Sequence, residues 1–214
     1  MLSQQYPTEA GARLTIVKFA IDSGYATPEV YEWTRKNGGG RVVVIKGDSR
    51  AVAPVAQPSP VEVGPRGNRL RFGIKVWPVN GGMIKEELYR WLRLERPTEE
   101  SGEAFPPGYC HFPQYGEEYF KQLTAEQLVM RVVKGYKRPE WQKTRERNEA
   151  LDCRVYARAA AAVYGMDRWQ EDWWRALEQN LAQAVVQVTQ TPPTQSPQTP
   201  QGSPRGPAPW IDPV

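Results

Sequence analysis

Residues Leu14 to Lys46 constrain the fold more than any other stretch of the chain. Leu14 to Asp22 is rich in β-branched and aromatic residues and reads as a strand with an aspartate at its carboxyl end. Ser23-Gly24 breaks it. Thr27-Pro28 then opens a helix, with Thr27 expected as N-cap and Pro28 at the first position. Val30, Tyr31 and Trp33 give that helix an apolar side, and Asn37 to Gly40 ends it. Arg41 to Lys46 is a continuous apolar run of the kind that fills a buried parallel strand. Strand, helix and strand joined by short connections form a βαβ unit, which is right-handed. The expected class is therefore α/β. Asp22 falls where ligands gather in open α/β sheets, at the carboxyl end of a strand.

The stretch Arg147 to Ala162 is the strongest helix signal. Alanine and arginine favour helix, and neither proline nor glycine intervenes before Gly165. Leu151, Val155 and Ala159, with Ala162 three further on, form a narrow apolar stripe suited to close packing on a sheet. Glu149 and Asp152 sit in the first turn on one face. Two readings stand side by side. The acids offset the helix dipole, or they point at a Mg²⁺ or Mn²⁺ ion, for which paired hard-oxygen ligands on a rigid element are suitable.

Elsewhere, Met1 to Gly11 reads as a helix end and a turn, and residues 47–68 as a long exposed loop. Leu70 to Val79 reads as a strand, Met83 to Arg93 as a helix, and Glu117 to Leu123 as another. Leu128 to Gly135 reads as a strand, and Tyr136 to Glu146 as a loop leading to the acidic helix. Asp167 is expected to cap a last helix. Trp169, Trp173, Leu177, Leu181 and Val185 recur every fourth residue there, which predicts docking on another surface. From Thr189 the composition collapses to Thr, Pro, Gln, Ser and Gly, a disordered tail. The expected organisation is a domain over 1–166, an amphipathic helix over 167–188 and a tail over 189–214.

Composition narrows the chemistry. One histidine, His111, excludes mechanisms that need two. Cys110 and Cys153 lack metal-ligand spacing and fit a reduced compartment. No run is long enough to span a membrane. The net charge of +4 mildly favours a polyanionic partner. Asp22, Asp152 and Glu149 together match the disposition used in two-metal phosphodiester hydrolysis, an acid at a strand end facing acids on a packed helix; Asp22 as a cap for the Ser23-Gly24 turn is the plain alternative. Lys46 at the neighbouring strand end suits a phosphate contact or a solvated surface. The turn Asn80-Gly81-Gly82 with Lys85 places backbone N–H groups near a phosphate without forming a P-loop. Lys134, Lys137, Arg138, Lys143, Arg145 and Arg147, interleaved with Tyr136 and Trp141, suit contact with a DNA backbone or a solvated loop.

Several segments, in order, resemble one family: Ile21-Asp22-Ser23-Gly24 with Val30-Tyr31, Val44-Ile45-Lys46-Gly47, Val79-Asn80 with Lys85 to Tyr89, Cys110 to Pro113 with Glu118 to Phe120, Leu123 to Glu126, and Arg147 to Cys153. Together they resemble the nuclease domain of the lambda-type large terminase subunit of tailed bacteriophages. The resemblance implies an RNase H-like mixed sheet flanked by helices. It further implies a divalent-metal-dependent endonuclease that cuts concatemeric double-stranded viral DNA in the cytoplasm of the bacterial host. Implied partners are an ATPase portion or upstream segment, a small terminase subunit, and the portal or procapsid. Asp22 becomes the acid of the fourth strand and Asp152 that of the closing helix. The family pattern also places an acid on a first strand ahead of Asp22, within a leading meander. No aspartate precedes Asp22 here, and no Walker A sequence is present. The competing expectation is a non-catalytic remnant or interaction module that binds DNA, portal or a partner subunit.

Overall fold

The computed structural model describes residues 2–8, 11–61 and 73–190, with side chains as far as residue 183. A short hairpin leads: β1 (Gln5–Pro7) pairs antiparallel with β2 (Arg13–Thr15), placing Tyr6 opposite Leu14. The helix end expected over Met1 to Gly11 is thus a strand and a turn. Gly11, at a φ of 88°, closes the turn onto Thr8, and three-residue strands leave no readable alternation.

The central sheet has the order β3–β4–β6–β5, built from β3 (Phe19–Asp22), β4 (Val42–Gly47), β5 (Ser59–Pro60) and β6 (Lys75–Val79). β3, β4 and β6 are parallel; β5 joins antiparallel at one edge. The single strand read from Leu14 to Asp22 is therefore two, β2 and β3, in different sheets. Helix α1 (Thr27–Asn37) connects β3 to β4 as the βαβ pattern requires. Its N-cap is Ala26, in the left-handed region at a φ of 50°, rather than Thr27. The Thr27 hydroxyl instead donates back to the Ser23 carbonyl, 2.6 Å away, so local geometry displaces the cap by one residue. The expected exposed loop after β4 is partly built in, for Val55 bridges to Val79 and β5 pairs with β6. The remainder of that loop and the start of the strand expected at Leu70 lie outside the described residues.

α2 (Gly81–Trp91), α3 (Glu117–Leu123) and α4 (Glu149–Tyr164) complete the body. Val43 and Ile45 of β4 and Val79 of β6 meet Ile84 and Leu88 of α2, Leu123 of α3, and Leu151, Val155 and Ala159 of α4 in one core. The stripe on α4 closes with Ala160 rather than Ala162. Small residues there bring the helix close to β3. Burial at about 25 cal/mol per Å² of apolar surface makes this core the main source of stability.

Between α3 and α4 stands a separate antiparallel hairpin, β7 (Glu126–Val133) and β8 (Tyr136–Lys143). The loop expected over Tyr136 to Glu146 is mostly strand. Lys134 and Gly135, at φ of 52° and 83°, form a two-residue turn whose twist suits a hairpin. β8 is charged and exposed, so no apolar alternation announced it.

Asp167 lies in a 3₁₀ turn (Met166–Arg168) and pairs with Arg158, 3.0 Å away, instead of capping the last helix. That helix, α5, runs Glu171–Gln190. Its apolar side is uncovered: Trp173 is 64% exposed and Leu177 39%. Of the stripe expected to dock, Trp169 packs on Tyr164, while Trp173 and Leu177 are exposed. The tail after α5 lies outside them. No described helix is long and apolar enough to cross a membrane.

Candidate active site

Asp22 is the last residue of β3, and the chain turns immediately. The Gly24 N–H donates to Asp22 Oδ1 at 3.1 Å. A Cβ on Gly24 would stand 3.0 Å from Asp22 Oδ2, so a side chain there would crowd the carboxylate. Asp152, one turn into α4, opens into the same cleft, a space of about 350 Å³. Lys46 and Gly47 from the end of β4, Gly81 and Lys85 from the start of α2, and Tyr156 from α4 complete its lining. The cleft lies at the carboxyl ends of parallel strands, as the sheet topology leads one to expect.

Each acid is held differently. The Tyr156 hydroxyl stands in the cleft with Asp22, and its pKa is pushed up to about 12, first by burial and then by the charges of Asp22 and Asp152. Tyr156 is therefore a neutral hydroxyl at physiological pH. Burial raises the Asp152 carboxyl above its ordinary value of 3.8. Lys85 and Lys143 oppose that rise, while Glu126 and Asp22 add to it. Asp152 thus senses Asp22 across the cleft, and the pair disfavours shared negative charge unless a cation lies between.

Lys85 is fixed by a buried ion pair. Its Nζ donates to Glu126 Oε2 at 2.7 Å, and the two side chains are 16% and 6% exposed. The Asn148 amide donates to Glu126 Oε1 at 2.9 Å, and Lys143 Nζ donates to Asn148 Oδ1 at 2.8 Å. This chain of bonds ties α2, the hairpin base and the start of α4 together behind the cleft. The Ala150 N–H at the start of α4 donates to Gln122 Oε1 at 3.3 Å. Asp152 is therefore left to face the cleft.

Glu149 does not line it. Its side chain is 62% exposed and lies 3.4 Å from Arg147, the arrangement of a solvated, dipole-compensating acid. Among the described residues no group of three or more His, Cys, Asp or Glu is disposed to hold a metal ion. Of the basic residues singled out in the sequence, Lys46 lines the cleft and Lys143 supports it. Lys134, Lys137 and Arg138 lie at the hairpin tip, Arg145 is exposed just beyond β8, and Arg147 pairs with Glu149. Sequence reasoning missed Tyr156, Asn148 and the role of Glu126. Tyr156 is legible in hindsight, four residues after Asp152 and so on its face. Glu126 meets Lys85 across 41 residues and carries no local signal.

The fold and cleft define an α/β domain with paired carboxylates and lysines at the carboxyl ends of its parallel strands. The sequence matches the family described as terminase large subunit gpA, endonuclease domain, over residues 1–179. It is 36% identical over 176 residues to the terminase large subunit of Escherichia phage lambda, covering 80% of this chain and 26% of that protein. It is 31% identical over 173 residues to the terminase large subunit of Enterobacteria phage P21, with the same shares of each. The chain belongs to the terminase large subunit endonuclease-domain family. It spans about a quarter of the length of these curated relatives. No solved structure matches it.

Proposed function

We propose that this chain is the DNA-cleaving part of a phage packaging terminase, an endonuclease that hydrolyses phosphodiester bonds of duplex DNA with Mg²⁺ or Mn²⁺. One observation carries the reading. Asp22 and Asp152, from opposite ends of the domain, open into one cleft beside Lys46 and Lys85, in a chain of this family. Two hard carboxylates are an apt donor set for a small divalent cation, which commonly takes one or two protein carboxylates and completes its shell with water and phosphate. Such an ion supplies an activated water and offsets phosphate charge. The chain's own groups do the rest. The Gly24 N–H orients Asp22, and the neutral Tyr156 hydroxyl lines the cleft with it. Glu126 and Asn148 hold Lys85 at the cleft wall, where its ammonium and that of Lys46 meet phosphate oxygens.

The finer fold reading follows the same lines. Parallel strands with an acid at one strand end, crossed by a helix bearing the second acid, are consistent with part of an RNase H-like sheet. A second reading, DNA binding without cleavage, is favoured by the presence of two rather than three acids in the cleft. Calorimetric titration with Mn²⁺ separates the two. We expect one binding event in the wild-type chain, lost in both Asp22→Asn and Asp152→Asn, with plasmid nicking showing the same dependence. Unchanged Mn²⁺ binding in both variants would rule the site out.

A further inference from the structure

We propose that the β7–β8 hairpin is a DNA-probing arm that lays its apolar face and cationic tip into a groove of the duplex beside the cleft. The proposal rests on the reading that the chain acts on DNA. Register fixes the two faces of the ribbon, because directly opposed residues project to the same side. Leu128 opposes Trp141, Met130 opposes Pro139, and Val132 opposes Lys137. Between the charged pair at its base and Lys137 near its tip this face is apolar; Trp141 packs on Tyr89, and the rest is open: Leu128 is 44% exposed, Met130 61% and Val132 63%. It begins at Glu126 and Lys143, which belong to the hydrogen-bonded network behind the cleft. An uninterrupted apolar strip therefore runs outward from the site.

Charge selects the occupant. Lys134 and Lys137 stand at the tip of this face, and Arg138 stands close by on the opposite face, across from Arg131; none of the three has an ion-pair partner among the described residues, whereas Arg131 is neutralised by Glu140 at 3.1 Å. Arg145 continues the positive charge at the base. An apolar strip ending in unpaired cations suits a ligand with a polyanionic rim and apolar groups between its rims. Duplex DNA offers the polyanionic rim, and its major groove, wide enough to admit a two-stranded ribbon, presents apolar thymine methyl groups among the donors and acceptors of its floor. Turn chemistry adds an independent observation. Lys134 sits at a φ of 52°, where asparagine and glycine are the preferred residues of such turns. The chain thus presents an ammonium at the outermost point of the arm despite a conformational cost.

That cost gives the test its power, because Lys134→Asn removes the charge while suiting the turn better. Duplex binding to the full chain is followed by fluorescence anisotropy across a salt series, without divalent metal. The variants are Lys134→Asn, the triple Lys134→Asn/Lys137→Asn/Arg138→Gln, and Met130→Gln/Val132→Thr. Lys36→Asn, which removes an exposed charge from α1, is the control. We expect Lys134→Asn to keep or raise the melting temperature and to lower the slope of log affinity against log salt by about one. The triple lowers it by about three. Met130→Gln/Val132→Thr weakens binding several-fold at all salt concentrations without changing the slope, and Lys36→Asn changes nothing. Wild-type DNA binding with unchanged slopes in the tip variants, or an equal loss in Lys36→Asn, would overturn the arm and leave the DNA reading standing. No duplex binding by the wild type would overturn both.

Discussion

Burial raises Asp152 above its ordinary 3.8, so the folded chain holds that proton more tightly than the unfolded chain does. The sign follows from linkage: stability falls as pH rises from 3.8 through the raised value, and above it the ionised carboxylate is a standing cost. Asp152→Asn should therefore leave the melting temperature at neutral pH unchanged or higher, and should flatten its pH dependence in that window. Mn²⁺ affinity should weaken in the wild type as pH falls through the same window, because proton and metal compete for one carboxylate. Lys85 behaves oppositely. Its replacement by methionine leaves Glu126, 6% exposed, without a counter-charge, at a cost of about 3 kcal/mol. The double variant Lys85→Met/Glu126→Gln should recover most of that loss in chemical denaturation. A single variant as stable as the wild type would show that the Lys85–Glu126 pair does not stabilise the fold. Sequence alone exposed Asp22, Asp152 and Lys46 because each sits at a strand end or helix start with a local signature. It could not separate Glu149 from Asp152: both lie in the first turn of α4, and only the docking of that helix decides which one faces the cleft.

At the scale of elements, legibility followed burial. β4 was readable because Val42 to Ile45 are all buried, and α4 because its stripe packs on the sheet. β8 was not, since its residues face solvent and its order comes from pairing with β7 through a tight turn. α5 carries a readable apolar period, yet Trp173 and Leu177 of its stripe are exposed. Amphipathic periodicity reports what a helix is able to cover and does not identify a partner. The aromatic cluster of Trp169, Trp173 and Trp174 beside Tyr164 is the helix's main anchorage. Truncation after Gln170 should thus leave the melting temperature within a few degrees of the full chain, measured by circular dichroism. A larger drop would mean that α5 contributes to the core.

The molecule as a whole is open on one side of its sheet. Among the described residues β3 pairs with β4 alone. Phe19 and Ser23 donate their N–H groups toward β4, so the alternate peptide groups of Ala20 and Asp22 face the free edge. Along that edge runs an apolar groove of about 570 Å³, walled by Val17, Phe19, Ala157 and Ala160 among others. Unpaired strand edges beside apolar surface recruit further strands. A strand added there would run beside Asp22 and bring its own end residue to the cleft, the place for which the family resemblance implies a further acid. Two ions held against phosphate need carboxylates on both sides, and the cleft has two acids in all among the described residues. We expect the chain alone to nick plasmid feebly in Mn²⁺, and a longer polypeptide that adds the upstream strand and acid the family resemblance implies to cleave strongly, with Asp152→Ala abolishing cleavage in both. Strong cleavage by the chain alone that survives Asp152→Ala would place the active centre elsewhere. Strong cleavage by the chain alone that Asp152→Ala abolishes would keep the centre here and show that two carboxylates suffice, removing the need for the added strand.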